Sequence, residues 1–159
     1  MEIRQVRYTH LDVHRLVEEV QAEYTSLYGA PDDTPLDPTM FDAPSGAFFL
    51  GYLAGSPVAM GGWRFRPDVV AFGRSTAAEI KRMYVGPAAR RTGLARVMLD
   101  HLERSALAAG ADLMVLETGT EQPAAIALYT SSGYTRVEGF GHYTWSPKAR
   151  CYGRPLTAD

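Results

Sequence analysis

The chain has 159 residues, 46% of them apolar and 21% charged, with a formal net charge of −2. That length suits one domain, 1–159, with a real core, and a balance so near neutral offers no global attraction for nucleic acid or an anionic membrane. A single cysteine, Cys151, excludes an internal disulfide and a cysteine zinc cluster. Residues 1–7 carry no apolar signal region, and no apolar run is long enough to span a bilayer, so a cytoplasmic protein is expected. Of the sixteen basic residues only Lys81 and Lys148 are lysines, which reads as compositional bias.

Residues 2–8, with Ile3, Val6 and Tyr8, suit a first strand. Thr9 or Asp12 then caps a helix with Leu11, Leu16, Val17, Val20 and Tyr24 on one side, ended by Gly29 and Pro31. Prolines and aspartates (Asp32, Asp33, Asp37, Asp42) make 30–45 a loop with one helical turn at 38–41. Strands at 46–53 and 58–65 flank the turn 54–57 as a hairpin. A polar connector, 66–75, leads to a long strand at 76–85, stopped by Pro87 and the loop 86–92.

The helix at 93–109 offers Leu94, Val97, Met98, Leu102 and Leu107 to the core, and Gly110 closes it. A buried strand at 112–118, a short helix at 123–132 and strands at 134–138 and 150–156 complete the chain. The strands on either side of the 93–109 helix should be parallel and the hairpin antiparallel. The expected fold class is therefore α/β: a mixed, largely antiparallel sheet of six to seven strands with helices on both faces.

The richest stretch is 79–98, which runs from strand through an Arg- and Gly-bearing loop into a helix. Such a loop leaves backbone N–H groups aimed at one spot, beside the positive end of the helix dipole. Arg90-Arg91-Thr92-Gly93-Leu94-Ala95 reads R-x-x-G-x-A. It forms an anion cradle whose best occupant is a pyrophosphate, with Arg90 and Arg91 able to add charge-assisted bonds. No G-x-x-x-x-G-K-[ST] occurs, and no G-x-G-x-x-G follows a strand, so nucleotide P-loops and dinucleotide folds are excluded.

Downstream come Leu116-Glu117-Thr118-Gly119, then the run from Gln122 to Tyr129, then Ser132-Gly133-Tyr134. With R-x-x-G-x-A after a long strand and A-x-x-L-Y-x-x-x-G-Y in this order, residues 46–140 resemble the GNAT superfamily of N-acetyltransferases. The resemblance implies an enzyme that uses acetyl-coenzyme A. Backbone amides of Arg90, Arg91, Thr92, Gly93, Leu94 and Ala95 would hold the pyrophosphate. Met83 and Val85 would pair with the pantetheine arm as an added strand, and an amide at Met83 or Tyr84 would polarise the thioester carbonyl. Tyr129 stands where the family keeps its acid and would also contact the cofactor. Glu79 stands where some members keep a base, with Glu117 as the rival. Gln122 replaces the more usual Asn beside the pantetheine arm.

The acceptor side would come from the first helix and the acidic loop, with Tyr24, Tyr28, Trp63, Arg64 and Glu117 as substrate contacts. His142 and Tyr143 could line the same space. Acidic loops can attract a cationic amine, but turn-forming aspartates explain this one better. The implied reaction is direct attack of a primary amine, more suitably a small molecule than a protein, on acetyl-coenzyme A. The alternative from another class is a non-catalytic acyl-coenzyme A sensor or interaction module. No metal spacing links His10, His14, His101 and His142. Lys81, Arg82, Arg90, Arg91 and Arg96 are better explained by cofactor phosphates than by nucleic acid. A homodimer paired through the last strand is a further expectation.

Overall fold

The computed structural model describes residues 1–158. In chain order it contains β1 (Glu2–Val6), α1 (Leu11–Tyr28), a 3-10 turn (Pro38–Phe41), β2 (Gly46–Leu53), β3 (Ser56–Arg66) and β4 (Ala77–Val85). A second 3-10 turn (Pro87–Ala89), α2 (Leu94–Ala108), β5 (Leu113–Gly119), α3 (Pro123–Ser131), β6 (Thr135–Arg136) and β7 (Ala149–Pro155) follow. All seven strands join one sheet in the order β1-β2-β3-β4-β5-β7-β6. Only β4 and β5 run parallel; every other neighbouring pair is antiparallel. This is the mixed, largely antiparallel sheet expected from the helix inserted between β4 and β5, because a parallel return needs a crossover.

The sheet separates two apolar layers. Apolar spacing along α1 buries Val13, Leu16 and Val20 on one face, against Phe48, Leu50, Met60 and Tyr84. On the other face α2 buries Met98, Leu99, Leu102 and Ala106, joined by Tyr129 of α3 and by Trp63, Ile80 and Leu116. Each large side chain so buried contributes about 1.5–3 kcal/mol, which is why α2 stays on the sheet although its first turn has no side-chain cap.

Several boundaries differ from the sequence expectation. β1 ends at Val6 because the Arg7 carbonyl accepts the His10 N–H and turns the chain. Tyr8 leaves the strand and packs its ring 5.2 Å from Phe41 and 5.1 Å from Phe48. The cap of α1 is neither Thr9 nor Asp12 but His10, whose Nδ1 accepts the Asp12 N–H at 3.0 Å. The strand expected at 134–138 shrinks to Thr135–Arg136. β7 lies between β5 and β6, so at Tyr152 and Gly153 the strand expected to meet a second subunit already has neighbours on both sides.

Candidate active site

β4 and β5 pair only from Ala77 opposite Leu113 to Glu79 opposite Val115. Beyond that, residues 80–85 of β4 keep β3 alone as a partner, and the sheet opens into a notch. Two features fix its walls. Between β3 and β4 the register slips at Gly61, which faces Arg82 and Met83, and Arg82 adopts the left-handed region at φ 57°; a bulge of this kind bends and twists its strand. From β5, Glu117, Thr118 and Gly119 form the opposite wall, continued by Gln122 at the start of α3.

At the end of β4 the chain passes through the 3-10 turn into α2. Arg91 (φ 62°) and Gly93 (φ 83°) both lie in the left-handed region. Among the described residues the amides of Arg91, Thr92, Gly93, Leu94, Ala95 and Arg96 find no backbone oxygen to donate to, and Gly93 brings no capping side chain. Those free donors at a helix N-terminus are the chemistry a diphosphate requires. A Cβ on Gly93 would meet no atom of the chain within 4 Å, so glycine there answers to the backbone angle and to space outside the fold. Arg90 is committed elsewhere: its Nε donates to the Val85 carbonyl at 2.8 Å and its Nη2 to Glu23 of α1 at 2.8 Å. The Val85 carbonyl is thus already engaged, and Arg91, exposed at the loop's tip, is the arginine left for phosphate.

The two carboxylates considered for a base differ sharply. Glu79 is 2% exposed. Its Oε1 receives Arg66 Nη1 at 2.8 Å and Arg64 Nε at 3.2 Å, with Lys81 Nζ 4.0 Å from Oε2. Arg66 is itself forked onto Asp68. Glu79 therefore holds a buried ion cluster together, and it does so through Arg66 and Arg64, not Arg82. Replacing it with Gln removes the carboxylate from Arg64 and leaves Arg66 with Asp68 alone. Thermal melts of Glu79→Gln are expected to show a loss of about 1–3 kcal/mol, with activity retained well below the melting point.

Glu117, by contrast, faces an open cavity. Its Oε1 accepts the Tyr143 N–H at 3.2 Å, and the Cys151 thiol lies 3.8 Å from Oε2. Burial first, then the nearby charge of Glu79, pushes its carboxyl above the ordinary range, against the Tyr143 hydrogen bond and Lys81. Gly141 packs so closely that a Cβ there would overlap the Glu117 carboxyl. A half-buried carboxyl with a raised pKa at a cavity wall can accept a proton at neutral pH.

The cavity measures about 390 Å³ and is lined by Tyr24, Tyr28, Asp32, Lys81, Glu117 and Tyr143, with Trp145 and Lys148 at its rim. Its roof is a clasp between segments about a hundred residues apart. The Tyr143 phenol oxygen lies 2.8 Å from Asp32 Oδ1 and 2.7 Å from Asp33 Oδ1, and accepts the Asp33 N–H at 2.8 Å. His142 Nε2 approaches Asp33 at 3.0 Å. Tyr28 reaches across from α1 to cover Gly119 and to receive a hydrogen bond from Gln122 Nε2 at 3.2 Å. The Gln122 side chain therefore meets α1 and caps nothing on α3.

Tyr129 is buried on α3, its ring 5.6 Å edge-on to Tyr134. Burial, and after it the Tyr24 phenol, raises its pKa; Tyr24 is itself pushed up to about 12 by burial and Asp32. Trp63 belongs to the opposite layer, where its Nε1 donates to Ser105 of α2 at 3.0 Å, so it does not reach the cavity. Arg64 is absorbed by the Glu79 cluster. Sequence reasoning does not single out Lys81, Trp145 and Lys148 as cavity residues; the one available signal was that the chain's two lysines stand out among its arginines.

A family profile described as "Acetyltransferase (GNAT) family" matches residues 13–134. An IAA acetyltransferase of Azospirillum brasilense is 31% identical over 144 residues, covering 91% of this chain and 90% of its own. Among solved structures, a protein of Klebsiella pneumoniae assigned as an acyl-CoA N-acyltransferase superposes with a TM-score of 0.76 at 27% identity, covering 98% of this chain and 97% of its own. An aminoglycoside 6'-N-acetyltransferase in complex with coenzyme A shares the fold at a TM-score of 0.71 and 12% identity, covering 100% of this chain and 99% of its own.

Proposed function

The chain belongs to the GNAT acetyltransferase family, and from that premise we propose that it is a one-domain, cytoplasmic N-acetyltransferase. It takes the acetyl group from acetyl-coenzyme A and gives it to a small-molecule primary amine by direct attack. The observation that carries this reading is the notch: β4 outruns β5, free amides wait at one end, and Glu117 with a cavity waits at the other. Among the described residues no helix is long and apolar enough to cross a membrane.

The amides of residues 91–96 and the Arg91 side chain would grip the diphosphate, and the unpaired edge of β4 near Met83 would receive the pantetheine arm. When bound, coenzyme A would supply the acetyl thioester. Glu117 takes the proton of the incoming ammonium. The amide of Met83 or Tyr84, beside the bulge, donates to the carbonyl oxygen as charge develops there. With acetyl-coenzyme A bound, Tyr129 would give its proton to the sulfur as the N–C bond formed and the C–S bond broke, and the second proton shed by the nitrogen would restore the phenol. Burial keeps the Tyr129 phenol protonated across the working range, which a general acid requires, although a higher pKa weakens the drive for that transfer. The clasp over the cavity favours a small acceptor over a protein tail. A sensor of acyl-coenzyme A would have no use for the Glu117 carboxyl at the cavity wall.

The test is release of free thiol from acetyl-coenzyme A in the presence of an amine panel. Release that depends on both partners supports the reading; none with any amine overturns it. Binding has its own check. Gly93→Val puts a β-branched side chain at φ 83°, a conformation such residues avoid, and sets methyl groups against the diphosphate. Calorimetry is expected to show coenzyme A binding weakened at least about tenfold, the loss of roughly one good charge-assisted contact.

A further inference from the structure

The cavity holds three carboxylates and two lysines, and their partners decide which charges remain for a ligand. Asp32 Oδ1 accepts the Thr34 N–H at 2.9 Å, the Thr34 hydroxyl at 2.6 Å and the Tyr143 phenol, while its Oδ2 lies 3.4 Å from Arg82. Asp33 is taken by His142 and Tyr143. Asp32 is thus engaged inside the fold, Asp33 is an exposed carboxylate whose Oδ1 is held by the clasp, and Glu117 is the proton acceptor of the reading above, on which this inference rests.

The cations are less committed. Lys81 Nζ has one long approach, 4.0 Å to Glu79, and Glu79 already neutralises two arginines at shorter range. Among the described residues Lys148 forms its one ion pair with the exposed Glu121, at 3.4 Å, and lies over the Tyr28 ring at 6.0 Å. These are the only lysines in a chain that otherwise places arginine at every basic position. A lysine is a compact, mobile point charge, whereas arginine is a rigid fork that would fill such a cavity and seek a fixed partner. Tyr24, Tyr28, Tyr143 and Trp145 line the same cavity as the two lysines, Trp145 being 75% exposed.

We infer that the acceptor amine carries a carboxylate on an aromatic body: an aromatic amino acid, its carboxylate held by Lys81 and Lys148 and its ring by the tyrosine and tryptophan walls. Lys81 and Glu117 line the same cavity, so an α-carboxylate on Lys81 would bring the neighbouring nitrogen to the side of the proton acceptor. The cavity volume of about 390 Å³ suits a molecule of this size.

The test compares each amino acid with its decarboxylated amine: phenylalanine with phenethylamine, tryptophan with tryptamine, all with acetyl-coenzyme A. The amino acids are expected to show kcat/KM at least about tenfold higher, the worth of one charge-assisted contact. Lys148→Met should raise KM for phenylalanine while leaving KM for acetyl-coenzyme A and the phenethylamine rate near wild type, and Lys81→Met should raise KM for phenylalanine without raising KM for acetyl-coenzyme A. Equal kcat/KM within each pair overturns the inference, as does a lysine effect confined to the KM for acetyl-coenzyme A. If no amine releases thiol, acetyl transfer is what fails, and thermal shift then decides the carboxylate site. Greater stabilisation by phenylalanine than by phenethylamine upholds it; equal shifts overturn it.

Discussion

Glu117→Gln is expected to lower kcat/KM about 10²- to 10⁴-fold at neutral pH, the usual contribution of a positioned proton acceptor. Gln keeps the shape and can still accept the Tyr143 N–H, so the cavity survives while the base is lost. The pH profile gives a separate reading. In the wild type, kcat/KM should rise with pH through the pKa of Glu117, which burial holds above the ordinary carboxylate range, and that limb should vanish in the variant. Stability moves the other way. With the folded pKa raised, the folded chain holds a proton that the unfolded chain has already released, so this carboxyl's contribution to stability falls as pH rises through the window. Glu117→Gln should therefore melt at or above the wild-type temperature at pH 7, whereas Glu79→Gln should melt below it. A fully active Glu117→Gln would remove this residue from the chemistry.

Tyr129→Phe should cut kcat by about 10²- to 10³-fold, toward the lower end of what a general acid supplies, with the dissociation constant of acetyl-coenzyme A nearly unchanged. The ring remains, so the edge-on contact with Tyr134 and the α3 packing are kept. No protein acceptor for the phenol stands among the side-chain hydrogen bonds that hold α3, so deleting the hydroxyl should leave the melting temperature within a few degrees. Single-turnover rates read beside calorimetric binding make the separation. Unchanged turnover would show that the thiolate takes its proton elsewhere, and the raised pKa of Tyr129 would then have been the warning.

The layers of this fold were legible because they rest on periodicity. The apolar stripe of α2, the hairpin around 54–57 and the strand–loop–helix passage at 76–98 each announce themselves over a dozen residues or more. The loop of unpaired amides at 91–96 was legible for the same reason, since these groups are consecutive in sequence. The acceptor side was not. Tyr143 meets Asp33 across 110 positions, and Lys148 joins Tyr28 and Lys81 only because a segment with no regular periodicity folds back over the notch. Trp63 misled because strand alternation says which residues share a face but not which face carries the cavity. His10 capped α1 through a ring nitrogen, outside the residue types that usually signal a cap.

The Arg90 side chain has one further consequence. It ties the loop that precedes α2 to Glu23, one residue before Tyr24 on the helix that also carries Tyr28. A diphosphate settling on the amides just past Arg90 would fix the loop that this ion pair ties to α1, and with it the turn of α1 whose phenols line the acceptor cavity. Occupancy of one half of the notch would thus be felt in the other, favouring a compulsory sequence of loading in which the acyl donor enters before the amine.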